Sequence, residues 1–331
     1  MLLNSVADNL KMAIQMRLTT FVHDEHDRLG AVEGERILDL NAAYSTYLES
    51  QGVSEAKVTA DAQLPARMRG FIELGEIALE AARKTLDFLR REKYSVEGAV
   101  FNLEDVKFKA PIPDPPKIVC TGLNYEDYRV ILGLEYLPVP QIFLKAPSSI
   151  IGHLEPIVIP EGYGSVFHEY EFSCVIGKRC KDVPKEEVHD FIFGYTILND
   201  ITAHDIELMT REYQQWAKSF DTFAPMGPWI VTPEEMPKNL YNLKILRRRN
   251  RKVEFESNTK NMRFHFDDII SFASTFWTLE PGTIVTTASP PAGPIEPGNV
   301  IEAEVEGVGV LRNPVASRRI PTEYAKRLGL I

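Results

Sequence analysis

Residues 168–178 read HEYEFSCVIGK, and residues 194–205 read GYTILNDITAHD. Glu169 and Glu171 stand two apart in a predicted strand, so both side chains should point to one face of it. Asp200 follows the apolar end of the next predicted strand, where loop residues commonly build sites. Like charges beside an apolar core cost free energy unless a cation compensates them. Three carboxylates suit Mg²⁺, Mn²⁺ or Ca²⁺ rather than a zinc ion bound by thiolates.

Two structural explanations compete with a metal site here. Most E-x-E pairs simply lie on the exposed face of a strand. Asp200 could instead cap a helix that begins in the following segment, TAHDIELM. The residues alone leave the choice open.

The sequence around these two runs is rich in short apolar and β-branched stretches. Beyond residue 117, turn residues separate them at intervals typical of a β-sandwich or barrel. The stretches include KIVCTG, PQIFLK, PIVIP, GPWIVT, GTIVTT and VIEAEVEG. Helical patterns interrupt them at residues 185–193, 205–217 and 266–279, and Asp267 is the expected N-cap of the last.

The first third of the chain has a different pattern of residues. RLTTFV, LGAVEG and ILDL predict short strands, and residues 44–91 have a helical pattern. The proline-rich run KAPIPDPPK, residues 109–117, excludes a helix and indicates a linker. We therefore predict an N-terminal domain over 1–108, a linker over 109–117 and a larger domain over 118–331. The first 18 residues read as a short amphipathic extension, and Met12 or Met16 could be the start.

Composition excludes several classes of protein. The net charge of -10 argues against nucleic-acid binding, and the basic run RRRNRK, residues 247–252, is best explained as a solvated hairpin turn. No stretch is apolar enough to span a membrane. The three cysteines predict no disulfide framework, and Cys174 is expected in the core. These features favour a soluble protein of the reducing cytoplasm.

Eight motifs in order give the sequence a family resemblance. They are CTGLNYEDY, FLKAPSSIIG, HEYEFSCVIGK, GYTILNDITAHD, WAKSFDTFAPMGPWIVT, SNTKNMRF, LEPGTIVTTASP and IEAEVEGVGVLRNPV. Over residues 117–315 the chain resembles the fumarylacetoacetate hydrolase superfamily. The resemblance implies a β-rich α+β fold, with a mixed β-sandwich roll and a smaller N-terminal α/β domain. It also implies a homodimer and a small-molecule substrate.

The resemblance assigns roles to individual residues. Glu169, Glu171 and Asp200 match the family's ligands for Mg²⁺ or Mn²⁺, which Asp127 joins in some members. Lys218 matches a lysine expected to polarise a substrate oxygen or stabilise an enolate. The matches to residues that line the substrate site are Asn124, Tyr125, Lys145, Asn258 and Thr259.

The sequence also departs from the family pattern. Tyr128 stands where many hydrolytic members have a water-activating His, and Glu135 therefore has no His to complete the usual dyad. His204 replaces an Arg that grips substrate oxygens, and Glu207 replaces a Gln one helical turn later. The family's G-T-P turn is represented by Ser289 and its neighbours, ASP at 288–290. Loss of the Arg suggests a substrate less anionic than the usual diacid.

The resemblance implies a metal-dependent enzyme and leaves its reaction open. The first hypothesis is a hydrolase that cleaves a carbon–carbon bond in a 1,3-diketo or acylpyruvate-like substrate, through an enolate that the metal stabilises. Asp127, Tyr128 or Glu207 would then help the metal to activate water. The alternative is a decarboxylase, isomerase or dehydratase of a 2-keto acid. The third hypothesis is a degenerate member of the family, a non-catalytic binding protein that holds metal without turning over substrate.

Overall fold

The fold is built mainly from short strands. The computed structural model describes residues 15–209 and 214–331, so the predicted amphipathic extension lies almost wholly outside the described residues. The strands are β1 Arg17–His23, β2 His26–Glu33, β3 Arg36–Asp39, β4 Val100–Asn102, β5 Lys107–Phe108, β6 Ile118–Gly122, β7 Gln141–Lys145, β8 Ile150–Ile151, β9 Ile157–Pro160, β10 Val166–His168, β11 Tyr170–Ile176, β12 Ile192–Asn199, β13 Thr202–Ala203, β14 Ala224–Val231, β15 Lys244–Arg249, β16 Lys252–Asn258, β17 Ile284–Thr286, β18 Gly293–Ile295, β19 Val300–Val305 and β20 Gly309–Arg318.

Within the described residues the α-helices are fewer than the strands, and four of the nine lie in the first third of the chain. They are α1 Leu40–Ser50, α2 Ala56–Gln63, α3 Met68–Leu74, α4 Glu76–Arg91, α5 Glu126–Leu132, α6 His204–Met209, α7 Gln214–Lys218, α8 Phe266–Phe276 and α9 Glu323–Arg327. The expectation of a strand-rich mixed fold is confirmed. None of the helices in the described ranges is long and apolar enough to cross a membrane.

The N-terminal helices form because their sequences carry suitable residues at the helix ends and apolar residues along one face. Asp39 caps α1 by accepting the backbone N–H of Ala42 at 2.9 Å. In α4 the buried residues recur at helical spacing, while Glu76 in the first turn and Arg91 in the last complement the helix dipole. Together α1 to α4 bury one face of the neighbouring strands.

One long sheet contains strands from both the N-terminal part and the rest of the chain. Its order is β4-β3-β2-β1-β14-β12-β11-β17-β6-β7. Leu18 of β1 pairs with Ile230 of β14, so the sheet runs without a break from the N-terminal strands into the larger domain. A five-stranded sheet, β16-β15-β19-β20-β9, and a three-stranded one, β13-β10-β18, complete the β structure.

The proline-rich segment lies against the sheet rather than in solvent. Ala110 and Ile112 are buried in the same core cluster as the N-terminal helices. A Cβ on Gly152 would come within 2.2 Å of the Lys109 backbone, so the absence of a side chain allows this close approach. The predicted limits of the two domains stay predictions.

Two predictions from sequence were wrong, the helix over residues 185–193 and the N-cap at Asp267. Residues 185–191 form only a 3₁₀ helix, because β12 begins at Ile192 and takes over the apolar end of the run. His265 caps α8, and Asp268 accepts the His265 backbone N–H at 3.0 Å in a capping box. Asp267 instead faces His189, at 2.9 Å.

The basic run forms a hairpin turn, as predicted, although one of its arginines is not solvated. Asn250 and Arg251 join β15 to β16 with positive φ angles. Arg247 is buried, and its guanidinium donates to the Pro291 carbonyl at 2.6 Å. The prediction of a core position for Cys174 is confirmed, and all three cysteines are free and buried.

Candidate active site

The three carboxylates expected to bind metal come together where β11 begins and β12 ends. Asp200 follows β12 directly, and its backbone N–H donates to the Glu169 carbonyl at 2.8 Å. Glu171 is the second residue of β11, whereas Glu169 occupies the break between β10 and β11. The prediction that Glu169 and Glu171 lie in one regular strand was therefore wrong. Glu169 lies just outside β11, which begins at Tyr170. One oxygen of each carboxylate nevertheless lies within 4.8 Å of the others.

Two buried lysines face this cluster. The ammonium of Lys218 donates to Glu169 and to Asp200, each at 3.0 Å, and to the Thr202 hydroxyl at 2.8 Å. Lys145 donates to the second oxygen of Asp200 and to a neighbouring backbone carbonyl. Asp200 therefore pairs with two cations instead of capping the following helix. Lys145 holds Asp200 in place, and its expected contact with substrate stays a prediction.

Glu171 is the least compensated member of the cluster. It is fully buried, and neither carboxylate oxygen makes a hydrogen bond of normal geometry to the described residues. Burial raises the pKa of Glu171 well above its usual range, and the charges of Asp200 and Glu169 raise it further, although the nearby Thr286 hydroxyl opposes them. Hard divalent cations prefer oxygen ligands. The residues present therefore fit Mg²⁺ or Mn²⁺, with the three carboxylates as the groups that would hold it.

A second group of side chains faces the lysine from α5 and α6. One oxygen of Glu207 lies 3.5 Å from Nζ of Lys218, and the other lies 3.4 Å from Nδ1 of His204. Burial raises the pKa of Tyr128, and the negative charges of Glu169 and Glu207 raise it further. Tyr128 is therefore a neutral phenol near the acidic cluster. The structure thus brings Tyr128, His204 and Glu207 to the side of the site where Lys218 lies.

Protonation in this group is set by the ion pairs. Burial alone would raise the pKa of Glu207, but the charges of Lys218 and His204 hold it below its usual range. The hydrogen bond to Glu207 raises the pKa of His204 in spite of burial. Burial lowers the pKa of Lys218, but Asp200 and Glu169 more than offset this, so the lysine is firmly protonated. The site therefore holds a charged lysine, a charged Glu207 and a histidine that titrates above its ordinary range.

The predicted turn residues Asn124 and Tyr125 are buried supports. The Asn124 carboxamide accepts from the Phe264 backbone N–H at 2.7 Å and donates to the carbonyls of Phe264 and Thr287. Tyr125 is fully buried, and its backbone pairs with that of Met262 in an isolated antiparallel β-bridge. Both residues fix the segment that carries Tyr128, and a substrate role for them stays a prediction.

Asp127, Asn258 and Thr259 lie in a neighbouring hydrogen-bonded group. Asp127 accepts from the Ser257 hydroxyl and lies outside the cluster of three carboxylates. Asn258 accepts the backbone N–H of Lys260 at 2.9 Å, which supports a turn. The Thr259 hydroxyl donates to one backbone carbonyl and accepts one backbone N–H, each at 2.8 Å. These contacts are structural, and a substrate role for the three residues stays a prediction.

The loop at 288–293 approaches the same side of the molecule. Ser289 is buried and donates to the Pro290 carbonyl. The backbone of Ala292 faces the Tyr128 hydroxyl and is one of the groups that stabilise its charged form. Arg247 holds this loop from behind, through Pro291.

Sequence reasoning missed Thr202 and Arg247. The Thr202 hydroxyl donates a hydrogen bond to Glu169 at 2.9 Å and accepts one from the Lys218 ammonium, so it links these two side chains. Its signal was present, because a residue two positions after Asp200 in an extended segment shares its face. Arg247 carried no distinguishing signal, since the three consecutive arginines are alike in sequence.

Comparison with known proteins shows the family to which the chain belongs. The family model "Fumarylacetoacetate (FAA) hydrolase C-terminal" matches residues 117–316. Mitochondrial oxaloacetate tautomerase fahd2 of Xenopus laevis is 34% identical over 317 residues, which are 92% of this chain and 91% of that protein.

Several solved structures have a similar fold. One similar fold is 5-carboxymethyl-2-hydroxymuconate delta-isomerase from Mycobacterium smegmatis, with a TM-score of 0.70 and 28% identity over 92% of this chain and 100% of that one. Maleylpyruvate hydrolase from Sphingobium sp. SYK-6, in complex with manganese (II) ion and pyruvate, has a TM-score of 0.71 and 27% identity with the same coverage of both chains. These relatives include a tautomerase, an isomerase and a hydrolase.

Proposed function

Because the chain belongs to the fumarylacetoacetate hydrolase family, we propose that it catalyses a divalent-metal-dependent enol–keto isomerisation of a small 2-oxo acid. The observation that carries the proposal is the cluster of Glu169, Glu171 and Asp200 within 4.8 Å, with Lys218 at 3.0 Å from two of them. The tautomerase and isomerase among the relatives support enolisation as the chemistry. We propose Mg²⁺ as the ion, with Mn²⁺ or Ca²⁺ as substitutes.

The protein's own residues supply charge stabilisation and proton transfer. A divalent cation, when bound, would stabilise negative charge that develops on the substrate oxygens. Lys218 adds a second, fixed positive charge, which stabilises a substrate oxygen where negative charge develops. Its pairing with Glu169 and Asp200 holds it in position before substrate arrives. The preorganised lysine thereby lowers the barrier to forming the enolate.

The proton is best handled by the pair of His204 and Glu207. Glu207 orients the imidazole through Nδ1 and raises its pKa, which brings a general base closer to working pH. The imidazole can take the enol proton and return one to the carbon. Tyr128, as a neutral phenol, would donate a hydrogen bond to the substrate. Asp127 is the weaker candidate, since Ser257 already engages it.

Carbon–carbon bond hydrolysis, the first hypothesis from sequence, is the second candidate. The similarity to maleylpyruvate hydrolase supports it. Against it, Tyr128 occupies the position of the expected His, and the Glu135 side chain is 95% exposed and faces Arg129. The family's usual dyad is therefore not assembled at that place. Decarboxylation and dehydration share the enolate and stay predictions.

The test is turnover of 2-oxo acid enols and 1,3-diketones, with and without added Mg²⁺. Isomerisation consumes the enol absorbance and yields one product of unchanged mass, whereas hydrolysis yields two fragments. We expect metal-dependent isomerisation that Glu171→Ala abolishes. Metal-independent activity, or bound metal with no turnover of any of these substrates, would refute the proposal and favour a non-catalytic binding protein.

Assembly and cellular location are further proposals. We propose a homodimer in the cytoplasm that binds neither nucleic acid nor membrane, consistent with the net charge of -10 and three free cysteines. Sedimentation equilibrium measures the assembly directly. A monomer at micromolar concentration would refute the dimer without affecting the proposed chemistry.

A further inference from the structure

Arg247 is a buried cation that supports the loop at residues 288–293. Its guanidinium donates to the Pro291 carbonyl at 2.6 Å, and its Nε lies 3.5 Å from a carboxylate oxygen of Glu254. Removing a charge from water is costly unless good partners compensate it. The chain therefore keeps a costly side chain at a position where it fixes the backbone of this loop.

The loop is shaped to receive the guanidinium. Gly293 opens β18 and pairs with His168 of β10. A Cβ on Gly293 would lie 2.5 Å from the guanidinium of Arg247, so the glycine leaves the room that the arginine occupies. The φ angle of Gly293 is not positive, so the glycine serves this close approach and not an unusual backbone conformation. Arg247 thus contacts the loop at Pro291 and at Gly293, on both sides of Ala292.

Ala292, between these two contacts, faces the candidate site. Its backbone lies within hydrogen-bonding reach of the Tyr128 hydroxyl and stabilises the charged form of that phenol, as an N–H donor does. Tyr128 also lies close enough to Arg247 for their charges to interact. A phenol that accepts a hydrogen bond from an N–H keeps its own proton for another acceptor. The loop therefore directs the O–H of Tyr128 away from Ala292.

We infer that Arg247 is a positioning residue that acts through the Ala292 backbone on the hydroxyl of Tyr128. The inference rests on the proposed function, in which Tyr128 donates a hydrogen bond to the substrate. Arg247 itself needs no contact with the substrate. A displacement of about 1 Å in a group that orients a substrate can lower a rate by as much as about 10²-fold, so a small shift of the loop is measurable.

Two substitutions disturb this support in different ways. Arg247→Met removes the guanidinium, whereas Gly293→Ala keeps it and displaces only the flexible end of the side chain. We measure kcat with saturating Mg²⁺ on the 2-oxo acid enol that the wild type isomerises fastest. Each substitution should lower kcat about tenfold. The control is Arg248→Met, which removes the next arginine of β15 and its ion pair with Glu304 and should leave kcat unchanged.

A double-mutant cycle with Tyr128→Phe shows whether Arg247 acts through the phenol. Once the hydroxyl is gone, Arg247→Met should lower kcat by less than about twofold, because the group that it positions is absent. The effect of Arg247→Met on Tm should be the same in both backgrounds. A purely structural Arg247 would instead lower kcat by the same factor with or without the hydroxyl.

The outcomes separate this inference from the function on which it rests. Equal factors in the two backgrounds, or a wild-type kcat in both Arg247→Met and Gly293→Ala, overturn the inference while metal-dependent turnover stands. A wild-type kcat in Tyr128→Phe overturns the role of the phenol and the inference with it. Absence of turnover by the wild type with Mg²⁺ overturns the proposed function and the inference together. If Arg247→Met does not fold, Gly293→Ala takes its place in the same cycle, with the same expected and contradicting results.

Discussion

Replacing Glu171 with glutamine should stabilise the metal-free protein and remove its stabilisation by divalent cations. The carboxylate is fully buried among like charges, and its oxygens make no hydrogen bond of normal geometry to the described residues. Glutamine keeps the shape and removes the charge. The buried amide of glutamine stays unsatisfied, so the metal-free variant gains only the loss of repulsion by Asp200 and Glu169, on the order of 1 kcal/mol.

The effect of metal can be worked out on the same scale. A ligand present at about 100 times its dissociation constant stabilises the folded state by about 2.7 kcal/mol. For 331 residues the entropy of unfolding near 60 °C is about 0.7 kcal/mol/K, so this corresponds to a rise in Tm of about 4 °C. We expect that rise in the wild type and none in Glu171→Gln.

Thermal unfolding with and without MnCl₂ measures both effects. Glu104→Gln, an exposed substitution on a short 3₁₀ helix, is the matched control and should respond to metal like the wild type. The reasoning is refuted if Mn²⁺ raises the Tm of Glu171→Gln as much as that of the wild type. It is also refuted if the metal-free variant is less stable than the metal-free wild type.

Three further substitutions probe the lysine, the histidine and the linker. Lys218→Gln should lower kcat by about 10²–10³, because it removes a preorganised charge; unchanged kcat with native circular dichroism would contradict its proposed role. The folded-state pKa of His204 is raised, so its pairing with Glu207 stabilises the protein fully below the unfolded value near 6.5 and less as the pH rises through the folded value. The stability difference between wild type and His204→Gln, measured by urea unfolding, should therefore be largest below the unfolded value near 6.5 and shrink as the pH rises above it, and a difference that grows with pH would contradict this sign. Gly152→Ala should cost about 1–3 kcal/mol, because the new Cβ would meet the Lys109 backbone at 2.2 Å; a wild-type Tm would show that the linker can move.

Much of the candidate site could be read from sequence because its three carboxylates lie in two short segments, at the start of β11 and just after β12. The E-x-E spacing and the apolar run before Asp200 indicated which side chains are costly to bury without a cation. Strand periodicity placed Glu171 correctly within β11, although it did not reveal that Glu169 lies in a break. The strand-rich fold followed from the spacing of β-branched runs and turn residues.

Contacts between segments far apart in sequence could not be read in this way. The sequence did not reveal that Lys145 pairs with Asp200, 55 residues away. Arg247 was placed in a solvated turn with its neighbours, yet strand pairing buries it beneath the loop that faces Tyr128. The capping position at 267 failed because several polar residues compete at a helix start and their side-chain geometry decides between them.

The sequence by itself indicated the class of fold through residue type and short-range periodicity, and it indicated the three carboxylates and the hard divalent cation they suit through the family resemblance. Only the tertiary structure decided the pairing of Glu207 with Lys218 and His204, the pairing of Lys145 with Asp200 and the isolation of Glu171. Those features depend on which side chains face each other across separate strands and helices, and on how completely each charge is removed from water. Burial and distance set the energies of these charges, and neither is a property of the linear chain.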